Sequence, residues 1–178
     1  MSGAGPRTAA TPRRKRSRCR TLITLAIAAL GAVLSGCGCY RSGSGAQAAP
    51  ARRVISTDKA PAALATYSQA IEAGSTLYLA GQVGLDPATR ELAPGGLEPE
   101  ARRALENCKA VLEAAGYDLR DVVQVQVLLA DIADYQAFNA IYAGYFPQEP
   151  PARAAYAVAA LPRGAKVEIL MTAARASR

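Results

Sequence analysis

The stretch Pro151–Ile169, PARAAYAVAALPRGAKVEI, is the most informative part of the chain for its fold. It reads as two β-rich halves joined by a Pro-Arg-Gly turn at residues 162–164, which predicts a hairpin near the end of the chain. Each half places one charged side chain in an apolar run, Arg153 in the first and Glu168 in the second. A buried charge is costly unless a partner or ligand satisfies it. The stretch therefore predicts a binding pocket as well as a strand pair.

The two charged side chains have complementary chemistry. The guanidinium of Arg153 can bind a small carboxylate through two parallel hydrogen bonds. The carboxylate of Glu168 can orient or deprotonate a water molecule. Together they predict a pocket in which water attacks a small anionic substrate. The alternatives are an Arg153 paired with a surface carboxylate and a Glu168 paired with Lys166 on the same strand face.

The segments before this stretch predict an α+β domain. Four segments rich in β-forming residues read as strands: 53–57, 67–71, 75–83 and 121–129. Two segments with apolar residues at helical spacing read as helices, one over 99–115 that ends at Gly116 and one that begins at Asp131. The order is therefore β-β-β-α-β-α-β-β, with a mostly antiparallel sheet and the helices on one face.

The apolar spacing also predicts which side chains face the core. In the fourth strand these are the residues that alternate with Gln124 and Gln126: Val123, Val125, Val127 and Leu129. In the second helix they lie at helical intervals: Ile132, Tyr135, Phe138, Tyr142 and Tyr145. On the first helix, Cys108 is expected to be a small buried hydrophobic residue, and Lys109 and Glu113 to pair on the solvent side.

The net charge of +7 comes from the N-terminus rather than from the domain. Residues 1–20 hold seven of the Arg and Lys residues and no acid, which leaves 14 basic and 14 acidic residues in 21–178. No basic stripe interleaved with aromatic residues remains, so the composition predicts no nucleic-acid partner.

The basic block leads into the apolar run 21–34, which is typical of an export signal and too short for a comfortable transmembrane span. The run closes with Leu-Ser-Gly-Cys at 34–37, which is typical of a bacterial lipobox. We expect residues 1–37 to be a leader, Cys37 to be lipidated, and 38–51 to be a flexible linker before a domain at 52–178. The protein would then be membrane-anchored and face the periplasm. The alternatives are a soluble periplasmic protein cleaved near Ala48 and an uncleaved signal anchor.

The cysteines and the lack of histidine limit the chemistry. Cys19, Cys37 and Cys39 precede the domain, so the spacing predicts neither a disulfide framework nor a metal site. A chain without His has no imidazole for zinc or for Ser-His or Cys-His catalysis.

The final stretch resembles the closing signature of the RidA/YjgF family, the reactive-imine deaminases. The resemblance extends back through Asn139–Tyr142, Ala80–Gln82 and Ala60–Ala63 before Tyr67, and covers about residues 52–175. It implies a chorismate-mutase-like fold assembled as a homotrimer, with clefts between subunits.

The resemblance also implies a 2-iminobutanoate/2-iminopropanoate-type deaminase, a C–N hydrolase that uses no cofactor. Such an enzyme converts reactive 2-imino acids, tautomers of enamines such as 2-aminoacrylate, to 2-keto acids and ammonia. By resemblance Arg153 clamps the substrate carboxylate and Glu168 holds the attacking water as the catalytic pair. The substrate-binding positions that the resemblance adds are Tyr67, Gly81, Asn139 and Ala155, with Gly81 and Ala155 acting through their N–H groups.

The sequence departs from the family at two of these places. Ala80 stands where deaminase members typically carry Ser, which removes a hydroxyl donor, and Ala155 stands where many members have Cys. Tyr67 has the alternative role of a packed aromatic residue, and Asn139 that of a helix cap or inter-helix bond. The alternatives in function are a non-catalytic ligand-binding or chaperone-like trimer and an enzyme that acts on another small amide or imine.

Overall fold

The structure, a computed structural model, describes residues 51–175 as seven strands and two helices. The strands are β1 (Arg52–Ile55), β2 (Ala70–Ala73), β3 (Thr76–Leu79), β4 (Gln82–Val83), β5 (Val122–Leu129), β6 (Ala152–Ala157) and β7 (Val167–Ala174). The helices are α1 (Leu97–Ala115) and α2 (Tyr135–Tyr142). The predicted leader, Cys37 and nearly all of the predicted linker lie outside the described residues. Within residues 51–175, no helix has the length and apolar character needed to cross a bilayer.

The sheet runs in the order β1-β2-β3-β7-β5-β6, and β4 also pairs with β7. Only the pair β5–β6 is parallel, and every other pair is antiparallel. This confirms the predicted α+β class with a mostly antiparallel sheet. The predicted hairpin of the last two strands is wrong, because β5 lies between β6 and β7. Residues 162–164 form a single 3-10 turn instead.

The predicted third strand is divided in two at Ala80 and Gly81. β3 pairs with the C-terminal end of β7, whereas β4 pairs Val83 with Glu168 farther back along the same strand. The predicted second strand begins later than expected, at Ala70, which leaves Tyr67 in the preceding loop. The break places the backbone of Ala80 and Gly81 beside β7, an inner strand of the sheet.

Each strand divides its side chains between a face covered by the helices and an open face. On β5 and β7 the buried residues are paired neighbours: Val125 with Met171, Val127 with Ile169, and Leu129 with Val167. The residues between them point to the open face. Val123 was expected to be buried, but it is exposed because a bulge between Val122 and Gln124 adds one residue to β5.

Helix α1 packs the core as its apolar spacing predicts. Cys108 is completely buried, and its thiol lies 3.8 Å from the carbonyl oxygen of Ile169. Lys109 and Glu113 pair at 3.9 Å on the outside. Gly116 ends the helix with φ 85°, the left-handed conformation that glycine adopts without strain.

The second helix differs from its prediction at its first turn. Asp131 caps a 3-10 turn by accepting a hydrogen bond from Ala133 N–H at 2.9 Å, and α2 follows from Tyr135. This turn directs Ile132 into solvent, where 55% of it is exposed, so its predicted inward position is wrong. Phe138 and Tyr142 are buried as expected, and Tyr145 is half-buried.

Candidate active site

Glu168 is held against the backbone of Gly81, at the break between β3 and β4. A Cβ atom at position 81 would lie 2.7 Å from Glu168 Cδ, 3.0 Å from Cγ and closer still to Oε1. Only glycine leaves room for the carboxylate at this place. No ion pair within residues 51–175 includes Glu168, so its pairing with Lys166 does not occur there. Burial raises the pKa of Glu168 above the usual value for Glu.

A loop braced by a buried glutamine forms one wall of this region. The Gln69 side-chain oxygen accepts from Thr57 N–H at 2.6 Å, and its amide nitrogen donates to the carbonyls of Thr57, Ala60 and Pro61 at 2.9 to 3.2 Å. These bonds fix the segment that leads to Tyr67. The Tyr67 hydroxyl accepts from Leu64 N–H at 3.3 Å, and its half-exposed ring lines the cavity.

The first cavity has a volume of about 350 Å³ and is mainly apolar. Its apolar lining comes from the loop, from both sides of the strand break and from the turn before β7: Leu64, Ala80, Val83, Leu85 and Pro162. Its polar groups are Tyr67, Glu168 and Arg163. Arg163 adopts φ 59°, which is uncommon for a residue with a side chain and marks a constrained turn at the cavity.

Arg153 lies in a second cavity, of about 520 Å³, between β6 and the start of α2. Its Nη2 donates to Asn139 Oδ1 at 2.7 Å and to the Tyr135 hydroxyl at 3.3 Å. Its guanidinium carbon lies 4.5 Å from the ring centroid of Tyr142 and 5.7 Å from that of Tyr135. Ala155 lines the same cavity. These neutral contacts hold the guanidinium in one orientation.

The charge of Arg153 has no carboxylate partner among residues 51–175. Each of the six ion pairs there involves another cation. The alternative of a structural Arg153 paired with a surface carboxylate therefore does not hold for the described residues. A fixed, half-buried and unneutralised guanidinium is a site for an anion.

Within residues 51–175 of one copy of the chain, Arg153 and Glu168 do not share a pocket. Arg153 pairs with Val125 of β5 and so lies on the helix face, whereas Glu168 pairs with Leu128 and lies on the open face. The structure therefore forms two groups of predicted residues: Tyr67, Gly81 and Glu168 in one cavity, and Asn139, Arg153 and Ala155 at the other. The division follows from β5, which inserts between β6 and β7.

Three residues around these cavities were not identified as site residues from the sequence. Tyr135 and Tyr142 were interpreted as core aromatics, and Arg163 as part of a turn. A signal for the first two is their spacing, because Tyr135 and Tyr142 fall on the same face of a helix as Asn139. The Tyr142 ring is buried, and this burial raises its pKa to about 12. For Arg163 the sequence carries no such signal.

Comparisons with known proteins agree on one family. A family model described as endoribonuclease L-PSP matches residues 57–175. The mouse protein named 2-iminobutanoate/2-iminopropanoate deaminase is 56% identical over 118 residues, which cover 66% of this chain and 87% of the mouse protein.

Two solved structures share the fold at substantial identity. RidA from the Antarctic bacterium Psychrobacter sp. PAMC 21119 is 46% identical with a TM-score of 0.67, over 69% of this chain and 99% of that one. Escherichia coli TdcF with bound serine is 34% identical with a TM-score of 0.67, over 70% of this chain and 99% of that one.

Proposed function

The chain belongs to the RidA/YjgF family, and on that basis we propose that it hydrolyses short 2-imino acids to 2-keto acids and ammonia. The observation that carries the proposal is the guanidinium of Arg153, which is held by neutral groups and has no carboxylate partner in residues 51–175. The names of relatives such as the mouse 2-iminobutanoate/2-iminopropanoate deaminase support the same reaction.

The proposed cleft forms between copies of the chain, as in the homotrimer that the resemblance implies. Arg153 and Glu168 lie on opposite faces of one sheet, so a cleft that uses both must take them from different copies. The open face also carries exposed aromatic residues, Tyr78 at 53% and Tyr156 at 42% exposure, which association would cover. In this arrangement each cleft joins the first cavity of one copy to the second cavity of its neighbour.

In the cleft Arg153 binds the substrate carboxylate, and the N–H groups of Gly81 and Ala155 add neutral donors. Asn139 acts through Arg153, since its side-chain oxygen accepts the guanidinium hydrogen bond at 2.7 Å and fixes the remaining N–H groups. The serine bound to the relative TdcF carries a carboxylate of the same kind and supports such a ligand. This binding places the imine carbon at a fixed distance from the opposite wall.

Glu168 orients the attacking water and carries its proton. The raised pKa of the half-buried carboxylate suits a base that takes a proton from water and returns it. Water adds to the carbon of the protonated imine, Glu168 accepts the released proton, and a carbinolamine forms. The same proton then passes to the amino group, and the C–N bond breaks with loss of ammonia while Glu168 takes the hydroxyl proton and the carbonyl forms. That proton converts the released ammonia to ammonium and returns Glu168 to its carboxylate form. The Tyr67 hydroxyl lies beside the reacting carbon in this arrangement.

A trimer that binds small carboxylates without turnover is the alternative, and Ala80 is the observation that favours it. Its methyl group lies in the cavity of Glu168, where the family typically supplies a Ser hydroxyl. The loss of one neutral donor costs about 1–3 kcal/mol, which weakens binding more readily than it abolishes the reaction. Hydrolysis is therefore the preferred proposal.

The test uses the domain from Ala51 onward, with imino acids generated in the cuvette by an amino-acid oxidase. We expect the domain to accelerate imine loss, Arg153→Ala to remove the acceleration, and the surface control Arg102→Ala to leave it unchanged. Equal rates for wild type and Arg153→Ala would contradict the assignment. Thermal stabilisation by 2-oxobutanoate without acceleration of any imino acid would favour the ligand-binding alternative.

A further inference from the structure

Tyr135 lines the same cavity as Arg153. This cavity is lined by Ile132, Ala133, Tyr135, Gln136, Arg153 and Ala155. Tyr135 begins α2 and is half-buried, and its hydroxyl oxygen lies 3.3 Å from Arg153 Nη2. The sequence predicted only a core position for this residue, and the roles proposed above for the cleft do not use it.

The hydrogen bonds of Tyr135 leave its proton available. A phenol has one hydrogen to donate and lone pairs that accept. Arg153 Nη2 donates to this oxygen at 3.3 Å, and because a guanidinium only donates, the Tyr135 hydrogen cannot be used toward it. Asn139 Oδ1 accepts the Arg153 bond at 2.7 Å and receives no hydrogen bond from Tyr135. Within residues 51–175 the Tyr135 hydroxyl donates to no other group.

The electrostatic surroundings make Tyr135 a good donor. The adjacent Asn139 amide and the Arg153 guanidinium, whose Nη2 donates to the Tyr135 oxygen, lower the pKa of Tyr135 below its usual value. A more acidic phenol forms a stronger hydrogen bond to an anion, and the nearby positive charge draws an anion to this place.

We propose that the Tyr135 hydroxyl is a second ligand of the substrate carboxylate, beside the guanidinium of Arg153. The Tyr135 oxygen lies 3.3 Å from Arg153 Nη2, whose two hydrogens bond to Tyr135 and Asn139. Within residues 51–175 the N–H groups of Nη1 and Nε in the same planar guanidinium stay free, so one carboxylate group can receive hydrogen bonds from both side chains. The clamp then combines a charged and a neutral donor on one wall of the cleft. This inference rests on the proposed function, and it places a hydroxyl donor in the cleft of a chain that has Ala80 at the position of the family's Ser.

The test removes only the oxygen, with Tyr135→Phe, and keeps the ring against Arg153. Binding of 2-oxobutanoate, the unreactive keto acid, is measured by calorimetry, and imine hydrolysis is measured in parallel. We expect the dissociation constant and KM to rise about tenfold, the effect of one lost hydrogen bond to a charged group. We expect kcat to stay within about twofold, because the carboxylate is not altered in the reaction.

Tyr145→Phe is the matched control, since its hydroxyl bonds to Glu106 at 2.9 Å on the outside of α1. It should change neither binding nor turnover, and both variants should melt near the wild-type temperature. Unchanged binding in Tyr135→Phe, with a wild type that binds 2-oxobutanoate, would overturn the inference alone. A fall in kcat with unchanged binding would overturn it as well. A wild type that neither binds 2-oxobutanoate nor hydrolyses imino acids would overturn the proposed function, and this inference with it.

Discussion

Gly81→Ala is expected to lower activity about 100-fold while leaving the fold almost unaffected. The added Cβ would lie 2.7 Å from Glu168 Cδ and 3.0 Å from Cγ, where ordinary contact begins near 3.4 Å. The Glu168 carboxylate must therefore move away by about 1 Å to restore an ordinary van der Waals distance to the added methyl group. A displacement of about 1 Å at a catalytic group can cost about 100-fold in rate. We expect kcat for imine hydrolysis to fall by that factor.

The stability of Gly81→Ala should change little, because the atoms in conflict are the end of a flexible side chain. Two other glycines provide the controls. A Cβ at Gly84 would meet the backbone of Glu100 at 2.6 Å, so Gly84→Ala should lower the melting temperature strongly. A Cβ at Gly144 would lie 3.4 Å from Ile141 O, so Gly144→Ala should alter neither property. Wild-type kcat in Gly81→Ala would refute the placement of Glu168 in the reaction.

The remaining predictions concern single side chains. Glu168→Gln should lower kcat by about 10²- to 10⁴-fold in the imine assay. Because burial raises the folded-state pKa of Glu168 above its unfolded value, the stability that Glu168 contributes is lost as pH rises through that pKa. Glu168→Gln should therefore melt higher than wild type at pH 7 and no higher in acid; a lower melting temperature at pH 7 would contradict this. Asn139→Ala should raise KM about tenfold by releasing Arg153, and an unchanged KM would show that Arg153 needs no such support. Gln69→Ala should lower the free energy of unfolding in urea by about 1–3 kcal/mol, since it leaves buried backbone groups unpaired. The lipobox motif at residues 34–37 predicts that Cys37→Ser abolishes lipid labelling in a bacterial host, and a labelled Cys37→Ser protein would exclude this residue as the site.

The candidate site was predictable from the sequence where its chemistry differs from its surroundings. Arg153 and Glu168 each stand out as a charge in an apolar strand, and both prove to be half-buried and without an ion pair in the described residues. The burial of Cys108 and the left-handed Gly116 also followed from local spacing. Such features depend on residues that are close together in the sequence, so they can be predicted from it.

The separation of Arg153 from Glu168 could not be predicted from local patterns. It depends on strand order, because β5 pairs with β6 residues 28 positions later in the chain and with β7 residues 38 to 51 positions later. The bulge at Val123 is a similar case, because one extra residue moves a side chain to the other face without a change in composition. The helical spacing of Tyr135 predicted its packing against the core, but an aromatic residue shows the same spacing whether or not its hydroxyl also contacts Arg153.

The most direct test of the composite cleft mixes two inactive proteins, Arg153→Ala and Glu168→Gln, by unfolding and refolding them together. If each cleft takes Arg153 from one copy and Glu168 from another, about a quarter of the clefts in a random equal mixture contain both native residues. The account predicts that imine hydrolysis returns to about that share of the wild-type rate, whereas each variant refolded alone stays inactive. A mixture of assembled trimers that remains as inactive as its components would contradict a cleft shared between copies.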